Sequence, residues 1–317
     1  MADLIEVVVR GVRLEAEGVR SYEFVPVGGG LLPPWTAGAH VDVRLPSGSV
    51  RQYSLCSDPD DLRSYRIAVL EVPSGRGGSV EVHRAFGVGD AVRISRPRNT
   101  FPLEEAGAYL LIAGGIGITP ILAMARSLAG SGRPVALVYA GRSRSRMALL
   151  DEVFGLASLG VAVRVHCDDT DGVLPVAAVL SAWPEASVYA CGPGGLLAAL
   201  EDAAAAAGRE LRVERFAPAG ASSSASLAGG AFEVELARSS TIVPVPAGVS
   251  VLDAVRAAGV DAPSSCELGI CGTCETKVLS GEVDHRDELL TDAEKAAGAT
   301  MMICVSRARC ARLVLDL

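Results

Sequence analysis

The chain has 317 residues, half of them hydrophobic, and a formal net charge of −8 at pH 7. At roughly 100–200 residues per domain, this length predicts two or three domains, each large enough for an apolar core. An acidic chain without a basic block is a poor candidate for nucleic-acid binding, so we expect no nucleic-acid partner. Glycine is abundant, with 35 residues, and the eight cysteines concentrate towards the C-terminal end.

Neither a secretion signal nor a membrane span is expected. The acidic start, Met1 to Glu6, lacks the basic and apolar regions of a signal peptide. The uncharged stretch 106–125 is broken by glycines and by Pro120, which favours a strand, a turn and a helix over a membrane span. We therefore expect a cytoplasmic protein without a membrane partner, where clustered cysteines indicate metal or redox chemistry rather than disulfides.

The first predicted domain, residues 1–104, is all-β. Short β-branched runs are separated by turn residues such as Gly28-Gly29-Gly30 and Pro46-Ser47-Gly48, which predicts a small antiparallel barrel. The predicted strands are 6–14, 20–25, 40–45, 65–72 and 91–95. One helix, near 79–86, interrupts them.

The second predicted domain, residues 105–217, alternates strands and helices, which predicts a parallel, doubly wound α/β sheet. Its predicted strands are 109–113, 135–140, 161–166, 187–190 and 211–215. Its predicted helices are 120–128, 148–156, 175–182 and 195–207.

A small, uncharged stretch follows, and residues 218–230 are predicted to be a flexible linker. The third predicted domain, residues 231–317, contains a hairpin, a helix, a cysteine-rich loop and a short strand pair. The hairpin is 232–236 with 241–245, the helix is 251–258, and the strand pair is 276–279 with 312–315.

The cysteine loop carries the most specific signal in the chain. Cys266, Cys271 and Cys274 give the pattern C-x4-C-x2-C, and 29 residues separate Cys274 from Cys304. This is the spacing of plant-type ferredoxins, in which four thiolates hold a 2Fe–2S cluster. We interpret Cys310, six residues further on, as a packed thiol rather than a substitute ligand.

Two glycines between the ligands support the same interpretation. Gly269 and Gly272 stand where the backbone must pass close to the cluster and offer amide donors to sulfur. The alternative is a zinc site, but zinc knuckles prefer C-x2-C pairs.

A second signal lies in the barrel, in the run Arg51-Gln52-Tyr53-Ser54-Leu55. In a strand facing one ligand, Arg51 can hold a phosphate, Tyr53 can stack on a flat ring, and Ser54 can bond a ring nitrogen. Downstream, Gly77-Gly78-Ser79 opens the predicted helix, where free amides and the helix dipole favour phosphate. Each feature alone is a common turn or a chance match, but together they predict a flavin site.

A third signal follows the first strand of the second domain. Residues 114–120 form a glycine-rich turn into a helix, and the binding candidates are Gly114, Gly115, Gly117 and Thr119. Such a turn lets the backbone approach a pyrophosphate, although it differs from the usual G-x-G-x-x-G pattern. The alternative is a tight strand-to-helix turn without a ligand.

A second strand-end turn is predicted at the far end of the sheet. Cys191-Gly192-Pro193 follows a strand, at the edge where open α/β sheets bind ligands. Between the two turns, Arg142, Arg144 and Arg146 follow the second strand, where they can meet a ribose or a 2′-phosphate. The alternative for these arginines is a solvated basic loop.

These motifs, in this order, resemble the reductases that serve Rieske-type oxygenases, of the phthalate dioxygenase reductase and vanillate O-demethylase reductase type. The resemblance covers essentially the whole chain and is most specific at the cysteines. It also rests on the stretches 51–55, 97–103, 114–120, 191–193, 265–276 and 284–287. The family implies a flavin barrel, a nicotinamide domain and a β-grasp ferredoxin domain, and its single-chain members are monomers.

The resemblance also implies residue roles. It assigns Arg51 and Ser79 to the flavin phosphate and Tyr53 and Ser54 to the flavin. It assigns the nicotinamide nucleotide to Gly115, Thr119 and Cys191. Phe216 stands where the family places an aromatic residue near the flavin ring. Asp284-His285-Arg286-Asp287 matches as well, and we interpret it as a structural turn.

The resemblance implies FMN rather than FAD, and NADH as the electron donor. NADPH stays open because Ser143 follows Arg142, where relatives often have an acidic residue. A nicotinamide gives two electrons as a hydride, a 2Fe–2S cluster accepts one, and a flavin between them handles both steps. We therefore expect electrons to pass from NADH to FMN, then to the cluster, then to a terminal oxygenase, with no catalytic side chain required.

Two alternatives remain for the function. In the first alternative, the electron acceptor is a haem-thiolate monooxygenase. In the second, the protein is a redox-sensing binding module.

Overall fold

The computed structural model describes residues 4–217 and 229–317. These residues form two compact units, unit 1 (Met1–Phe216) and unit 2 (Ala217–Leu317). Of the predicted linker 218–230, only the last two positions lie within the described residues. The predicted boundary between residues 104 and 105 falls inside unit 1 and stays a prediction.

Unit 1 begins with an antiparallel barrel. Its strands are β1 (Leu4–Ala16), β2 (Val19–Pro26), β3 (Ala39–Arg44), β4 (Val50–Ser54), β5 (Tyr65–Leu70), β6 (Ala91–Ser95) and β7 (Arg98–Asn99). Helix α1 (Gly78–Ala85) lies between β5 and β6 in the chain. The strand order is β4-β3-β6-β1-β2-β5, with β7 paired to β3. A bridge between Leu55, the residue after β4, and Ile67 of β5 closes the barrel, beside a hydrogen bond from Cys56 N to Arg66 O.

The rest of unit 1 is a five-stranded parallel sheet. Its strands are β8 (Tyr109–Gly114), β9 (Val135–Gly141), β10 (Ala162–Cys167), β11 (Ser187–Cys191) and β12 (Leu211–Glu214). Its helices are α2 (Ile118–Leu128), α3 (Leu150–Gly155), α4 (Asp168–Asp171), α5 (Val176–Ser181) and α6 (Gly194–Ala206). The order β10-β9-β8-β11-β12 reverses direction between β8 and β11.

The alternation of side chains along β8 explains why helices cover both faces of this sheet. Leu111 and Ala113 belong to a core shared with α2 and the barrel, whereas Leu110 and Ile112 pack with α5 and α6. Successive side chains of a strand point to opposite faces, so an unbroken apolar run requires cover on both sides. Because the first core also contains barrel residues, the barrel and the sheet form one compact unit.

Unit 2 is a mixed sheet with one covering helix, α7 (Val251–Ala257), and a shorter helix, α8 (Asp292–Ala297). Its strands are β13 (Phe232–Leu236), β14 (Thr241–Val245), β15 (Glu275–Ser280), β16 (Val283–Asp284), β17 (Thr300–Met302), β18 (Arg307–Ala308) and β19 (Arg312–Leu315). Five strands pair in the order β14-β13-β19-β15-β17, and β16 pairs with β18. The central contact, β13 with β19, is parallel.

The structure confirms the predicted fold class: an antiparallel barrel, a doubly wound parallel sheet and an α+β domain. The predicted strand pair in unit 2 is present as the antiparallel β15 and β19. Helix α8 and the strands β16 to β18 were not predicted. Among the described residues, no helix combines the length and the apolar composition needed to cross a bilayer.

Arg307 is the largest fully buried side chain described, with 1 % of its surface exposed. Its guanidinium donates hydrogen bonds to the carbonyls of Val249, Gly230 and Pro246. It also lies over the ring of Phe232, 5.0 Å from the centroid. One side chain therefore holds together the start of unit 2, the end of the hairpin and the segment before α7.

We predict that Arg307→Met lowers the free energy of unfolding of unit 2 by about 3 kcal/mol, because buried carbonyls lose their donors. Urea unfolding of the full chain, followed by circular dichroism, measures the change. Arg309→Met is the matched control, since Arg309 is exposed and its carboxylate partners lie 3.8 and 3.9 Å away. Equal stability of the two variants would contradict the prediction.

Candidate functional site

The predicted flavin strand is β4, which lies at one edge of the barrel sheet and pairs with β3. Its residues have different partners. Arg51 extends towards the start of α1, and Gln52 is 3.0 Å from the Nε2 atom of His40. Ser54 Oγ donates to Glu214 Oε2 at 3.4 Å. At about 3.3 Å per residue, the strand spans about 10 Å from Arg51 to Ser54.

Arg51 and the start of α1 form a cradle for an anion. The Arg51 side chain packs so closely on Gly78 that a Cβ there would lie 2.7 Å from Arg51 Cγ. Gly77, the N-cap, has a left-handed conformation (φ 81°) and no side-chain hydrogen bond to the helix. Ser79 Oγ accepts a hydrogen bond from Val72 N at 3.0 Å, so its hydroxyl proton stays available. A helix start with free amides beside a guanidinium suits a phosphate group.

Tyr53 in the middle of β4 is half-buried, and His40, which pairs with this strand, is buried. Burial raises the pKa of Tyr53, so its phenol stays neutral. Burial lowers the pKa of His40 to about 4, so this imidazole is neutral at pH 7 and its Nε2 can accept a hydrogen bond from Gln52 Nε2. Leu55, the last residue of the run, is buried and forms the bridge that closes the barrel.

A cleft of about 470 Å³ opens at the carboxyl ends of the parallel strands. The sheet contributes Gly114, Gly115, Arg142, Asp168 and Pro193, among other residues. The barrel contributes Glu17, Val19 and Leu70. The cleft therefore lies at the point where the strand order reverses, which is the general ligand position of open α/β sheets.

The predicted nucleotide residues divide into two layers. Gly114, Gly115, Arg142 and Pro193 line the cleft. Gly117, Thr119 and Cys191 lie beneath it, where Thr119 and Cys191 are buried and Thr119 Oγ1 donates to Ile116 O at 3.1 Å. The lower layer therefore shapes the turn that carries the residues lining the cleft.

Two strand ends meet at this turn with almost no space between their backbones. A Cβ on Gly117 would overlap the carbonyl of Cys191 and lie 2.7 Å from Gly192 N. A Cβ on Gly114 would lie 2.7 Å from Pro193 Cδ, and one on Gly192 would lie 3.0 Å from Gly114 Cα. Glycine is required here for the close approach of the two strand ends to each other, and the approach of this turn to a pyrophosphate stays a prediction.

Glu214 is a candidate functional residue that the sequence analysis missed. It ends β12, stands opposite Cys191 in the parallel register, and accepts the hydrogen bond of Ser54. Burial raises the pKa of Glu214 to about 8, and the bond from Ser54 offsets this only in part. Burial and the neighbouring Glu214 raise the pKa of the Cys191 thiol. No sequence signal marks Glu214, because its burial depends on the packing of β12 against β11.

Phe216 follows Glu214 by two residues and is 41 % exposed. It is not a core residue, so its ring is accessible to a ligand. Its contact with a flavin stays a prediction.

The four predicted cluster ligands are buried and come together in unit 2 as two pairs. Cys266 lies beside Cys271, and Cys274 lies beside Cys304, each pair within hydrogen-bonding reach. Within the described residues, no three His, Cys, Asp or Glu side chains converge on a single metal-ion position. Two thiolates for each of two irons is the arrangement of a 2Fe–2S cluster, whereas a structural zinc ion needs four ligands around one centre.

The thiol pairs also show why the site fits a cationic group. Cys271 accepts a hydrogen bond from Cys266, which lowers the pKa of Cys271 to about 6. In the same way, a hydrogen bond from Cys304 lowers the pKa of Cys274. The hydrogen bond that each of them donates to its partner thiol, together with burial, raises the pKa values of Cys266 and Cys304. Only one thiol of each pair ionises readily, so bringing all four to thiolate requires a bound cation.

The loop backbone supplies donors to these sulfurs. Leu268 N donates to Cys266 Sγ at 3.3 Å. Glu267, Gly269 and Gly272 have φ values of 53°, 73° and 74°, which fold the loop tightly enough to turn its amides inward. Cys310 lies elsewhere, near β15 and β19, where its Sγ accepts from Glu282 N at 3.2 Å.

The comparisons with known proteins agree with this site. Residues 234–309 match the family model of the 2Fe-2S iron-sulfur cluster binding domain. The chain is 47 % identical over 321 residues to a vanillate O-demethylase oxidoreductase of Pseudomonas sp. (strain HR199 / DSM 7063), covering 99 % of this chain and 100 % of that protein.

Two solved structures are similar over 99 % of this chain. One is phthalate dioxygenase reductase, with a TM-score of 0.74, 39 % identity and 98 % of that chain covered. The other is an intact type IV self-sufficient cytochrome P-450 monooxygenase, with a TM-score of 0.86, 41 % identity and 41 % of that much longer chain covered.

The fold and the site define an iron–sulfur flavoprotein oxidoreductase that uses a nicotinamide nucleotide. The chain belongs to the family of vanillate O-demethylase oxidoreductase and phthalate dioxygenase reductase. A flavin, NADH and a 2Fe–2S cluster are accordingly its redox partners.

We predict that Gly117→Ala raises the KM for NADH about tenfold, because overpacking the turn displaces the cleft lining. Steady-state kinetics with NADH and ferricyanide measures the change. Gly194→Ala is the matched control, because a Cβ on Gly194 meets nothing within 4 Å. An unchanged KM in Gly117→Ala would show that the glycine contact does not support nucleotide binding.

Proposed function

We propose that this protein passes electrons from NADH, through FMN and its 2Fe–2S cluster, to a terminal oxygenase of the Rieske type. The observation that supports this best is the combination, in one chain, of the phosphate cradle at Arg51, the cleft at the strand ends and the paired cysteines of unit 2. When bound, the flavin supplies the change from two-electron to one-electron transfer. The protein works as a monomer in this proposal.

FMN is the proposed flavin because the cradle suits a single phosphate group. It consists of one helix start and one guanidinium, contributed by Gly78 and Arg51. Acid release of the flavin from the purified protein, followed by chromatography, identifies it. Released FAD would contradict this assignment.

NADH is favoured over NADPH by the charges that line the cleft. Arg142 and Arg146 are accompanied by the carboxylates of Glu17 and Asp168, and Arg146 Nε is 3.5 Å from Glu17 Oε2. A 2′-phosphate carries about two negative charges and needs cations that are not already balanced. A higher kcat/KM with NADPH than with NADH would overturn this preference.

The proposed site places the flavin along β4 and the nicotinamide above the turn formed by Gly115 and Pro193. Ser54 and Glu214 then lie where β4 meets the ends of the parallel strands. Their contribution is to hold a proton and to orient the two rings. Glu214 is mostly protonated at pH 7, since burial raises its pKa to about 8.

A haem-thiolate monooxygenase is the second candidate acceptor, because one similar structure carries this architecture within a cytochrome P-450 monooxygenase chain. Stopped-flow reduction of a Rieske oxygenase and of a haem-thiolate enzyme by the NADH-reduced protein separates the two. Faster transfer to the haem-thiolate enzyme would overturn the Rieske assignment. A redox sensor, in contrast, would show no NADH-dependent reduction of cytochrome c.

We predict that Cys304→Ser abolishes NADH-dependent cytochrome c reduction but leaves ferricyanide reduction within about twofold of the wild type. The variant removes a cluster ligand, while ferricyanide takes electrons directly from the flavin. Both rates are measured by absorbance on the same preparation.

Cys310→Ser is the matched control for Cys304→Ser and should change neither rate. A cysteine ligand set that includes Cys310 would instead lower cytochrome c reduction in that variant. Retention of cytochrome c reduction in Cys304→Ser would contradict the proposed route through the cluster.

We predict that the inhibition constant of NAD⁺ falls severalfold between pH 7 and pH 9. Glu214, with a pKa of about 8, is mostly protonated at pH 7 and ionises as the pH rises. The carboxylate then attracts the positively charged nicotinamide ring of NAD⁺, but not the neutral ring of NADH. Glu214→Gln should remove this pH dependence; an identical profile in the variant would assign it to another group.

A further inference from the structure

The segment Asp284-His285-Arg286-Asp287 was interpreted from the sequence as a structural turn, and its two acidic residues differ sharply. The side chain of Asp287 is fully buried, with 0 % exposure, whereas that of Asp284 is 27 % exposed. Asp284 pairs with Arg286, whose Nε donates to Asp284 Oδ2 at 2.8 Å. Asp287 makes no such surface pair, and its contacts lead inward.

On one side, Asp287 lies against the loop that carries Cys266, Cys271 and Cys274. The amide that follows it, Glu288 N, donates to Gly269 O at 3.1 Å. A Cβ on Gly269 would lie 3.1 Å from Asp287 Cα and 2.6 Å from Val305 Cγ2. The Gly269 backbone is therefore enclosed between Asp287 and the segment that follows Cys304.

On the other side, Asp287 holds the segment after Cys304. Ser306 Oγ donates to Asp287 Oδ1 at 3.4 Å, and the same hydroxyl accepts from Arg286 N at 3.2 Å. Ser306 is itself 0 % exposed. The second carboxylate oxygen, Oδ2, accepts from Leu290 N at 2.9 Å, and Lys295 Nζ donates to the Asp287 carbonyl at 2.7 Å.

The ring of His285 covers this carboxylate. Its Nδ1 is 3.5 Å from Asp287 Oδ1, and its side chain is 8 % exposed. Neither ring nitrogen has a hydrogen-bond partner in the described part of the chain. Water is therefore largely excluded from the Asp287 carboxylate, which strengthens its hydrogen bonds.

We propose that Asp287 is a positioning residue that ties the Cys266–Cys274 loop to the Cys304 segment and so fixes the spacing between the ligands of the two irons. The inference rests on the proposed cluster ligation by Cys266, Cys271, Cys274 and Cys304. Cys266 and Cys271 stand on one side of this tie, and Cys304 stands on the other. Loss of the tie lets the two ligand segments separate and opens a route for iron release.

The test compares Asp287→Ala, Asp287→Asn and Ser306→Ala in the full-length protein as purified. Cluster loss under an iron chelator is followed by visible absorbance, and the dithionite-reduced cluster is examined by electron paramagnetic resonance. We expect cluster loss to be at least about tenfold faster in Asp287→Ala, with altered g values, and severalfold faster in Ser306→Ala.

Asp287→Asn should retain wild-type g values and lose its cluster within about threefold of the wild-type rate. Its amide oxygen still accepts from Leu290 N, and its amide nitrogen can donate to Ser306 Oγ. Asp287→Asn therefore keeps the hydrogen bonds but removes the charge, so it distinguishes an effect of the hydrogen bonds from an effect of the charge. Asp284→Ala is the matched control and should leave both readouts unchanged.

Wild-type retention and g values in Asp287→Ala would overturn the proposal. Loss in Asp287→Asn as rapid as in Asp287→Ala would also overturn it, because the charge rather than the tie would then matter. If Asp287→Ala does not fold, the other two variants still test the proposal. A wild-type rate of cluster loss in Ser306→Ala would then count against the tie. A wild-type protein that holds no cluster would instead refute the ligation itself.

Discussion

The redox site of unit 1 depends on one close contact, the approach of Gly117 to the backbone of Cys191. That contact lets the ends of β8 and β11 meet where the strand order reverses, and the cleft opens directly above it. The same strand end places Cys191 beside Glu214, and Glu214 reaches Ser54 on the flavin strand. The barrel and the sheet are thus joined at the site itself, as well as through their shared core.

Unit 2 also contains a glycine that has no space for a side chain, in the loop that carries the predicted cluster ligands. Gly269 takes a left-handed conformation and has no space for a side chain, because Asp287 and Val305 pack against it. In both units a glycine without room for a side chain lets the backbone pack closely against a buried neighbour, which holds that backbone in place. The cysteines lie as two pairs, and two thiolates for each of two irons is the arrangement that a 2Fe–2S cluster uses.

The sequence predicted those parts that depend on local pattern. The unbroken apolar run of β8 and the glycines at 114 to 117 specify a buried strand and a tight turn, and the cysteine spacing specifies the cluster. It did not predict Glu214, whose raised pKa arises from neighbours distant in the chain. Helix α8 was missed although Thr291 and Glu294 form a capping box that is visible in the sequence. The role of Asp287 required knowing that Ser306, 19 positions away, lies beside it.

The closure of the barrel has a consequence for the protein without its flavin. Strand β4 is fully paired with β3, whereas the chain just after it meets β5 through the bridge from Leu55 to Ile67 and the hydrogen bond from Cys56 N to Arg66 O at 2.8 Å. The strand that carries Arg51 and Tyr53 therefore lies along the seam between β4 and β5, which has few backbone hydrogen bonds and is open to local unfolding. A ligand held by those side chains bridges the seam and stabilises the closed form by mass action. A flavin bound there, as proposed, would be a structural part of the barrel, and the amide protons of β4 would report its presence.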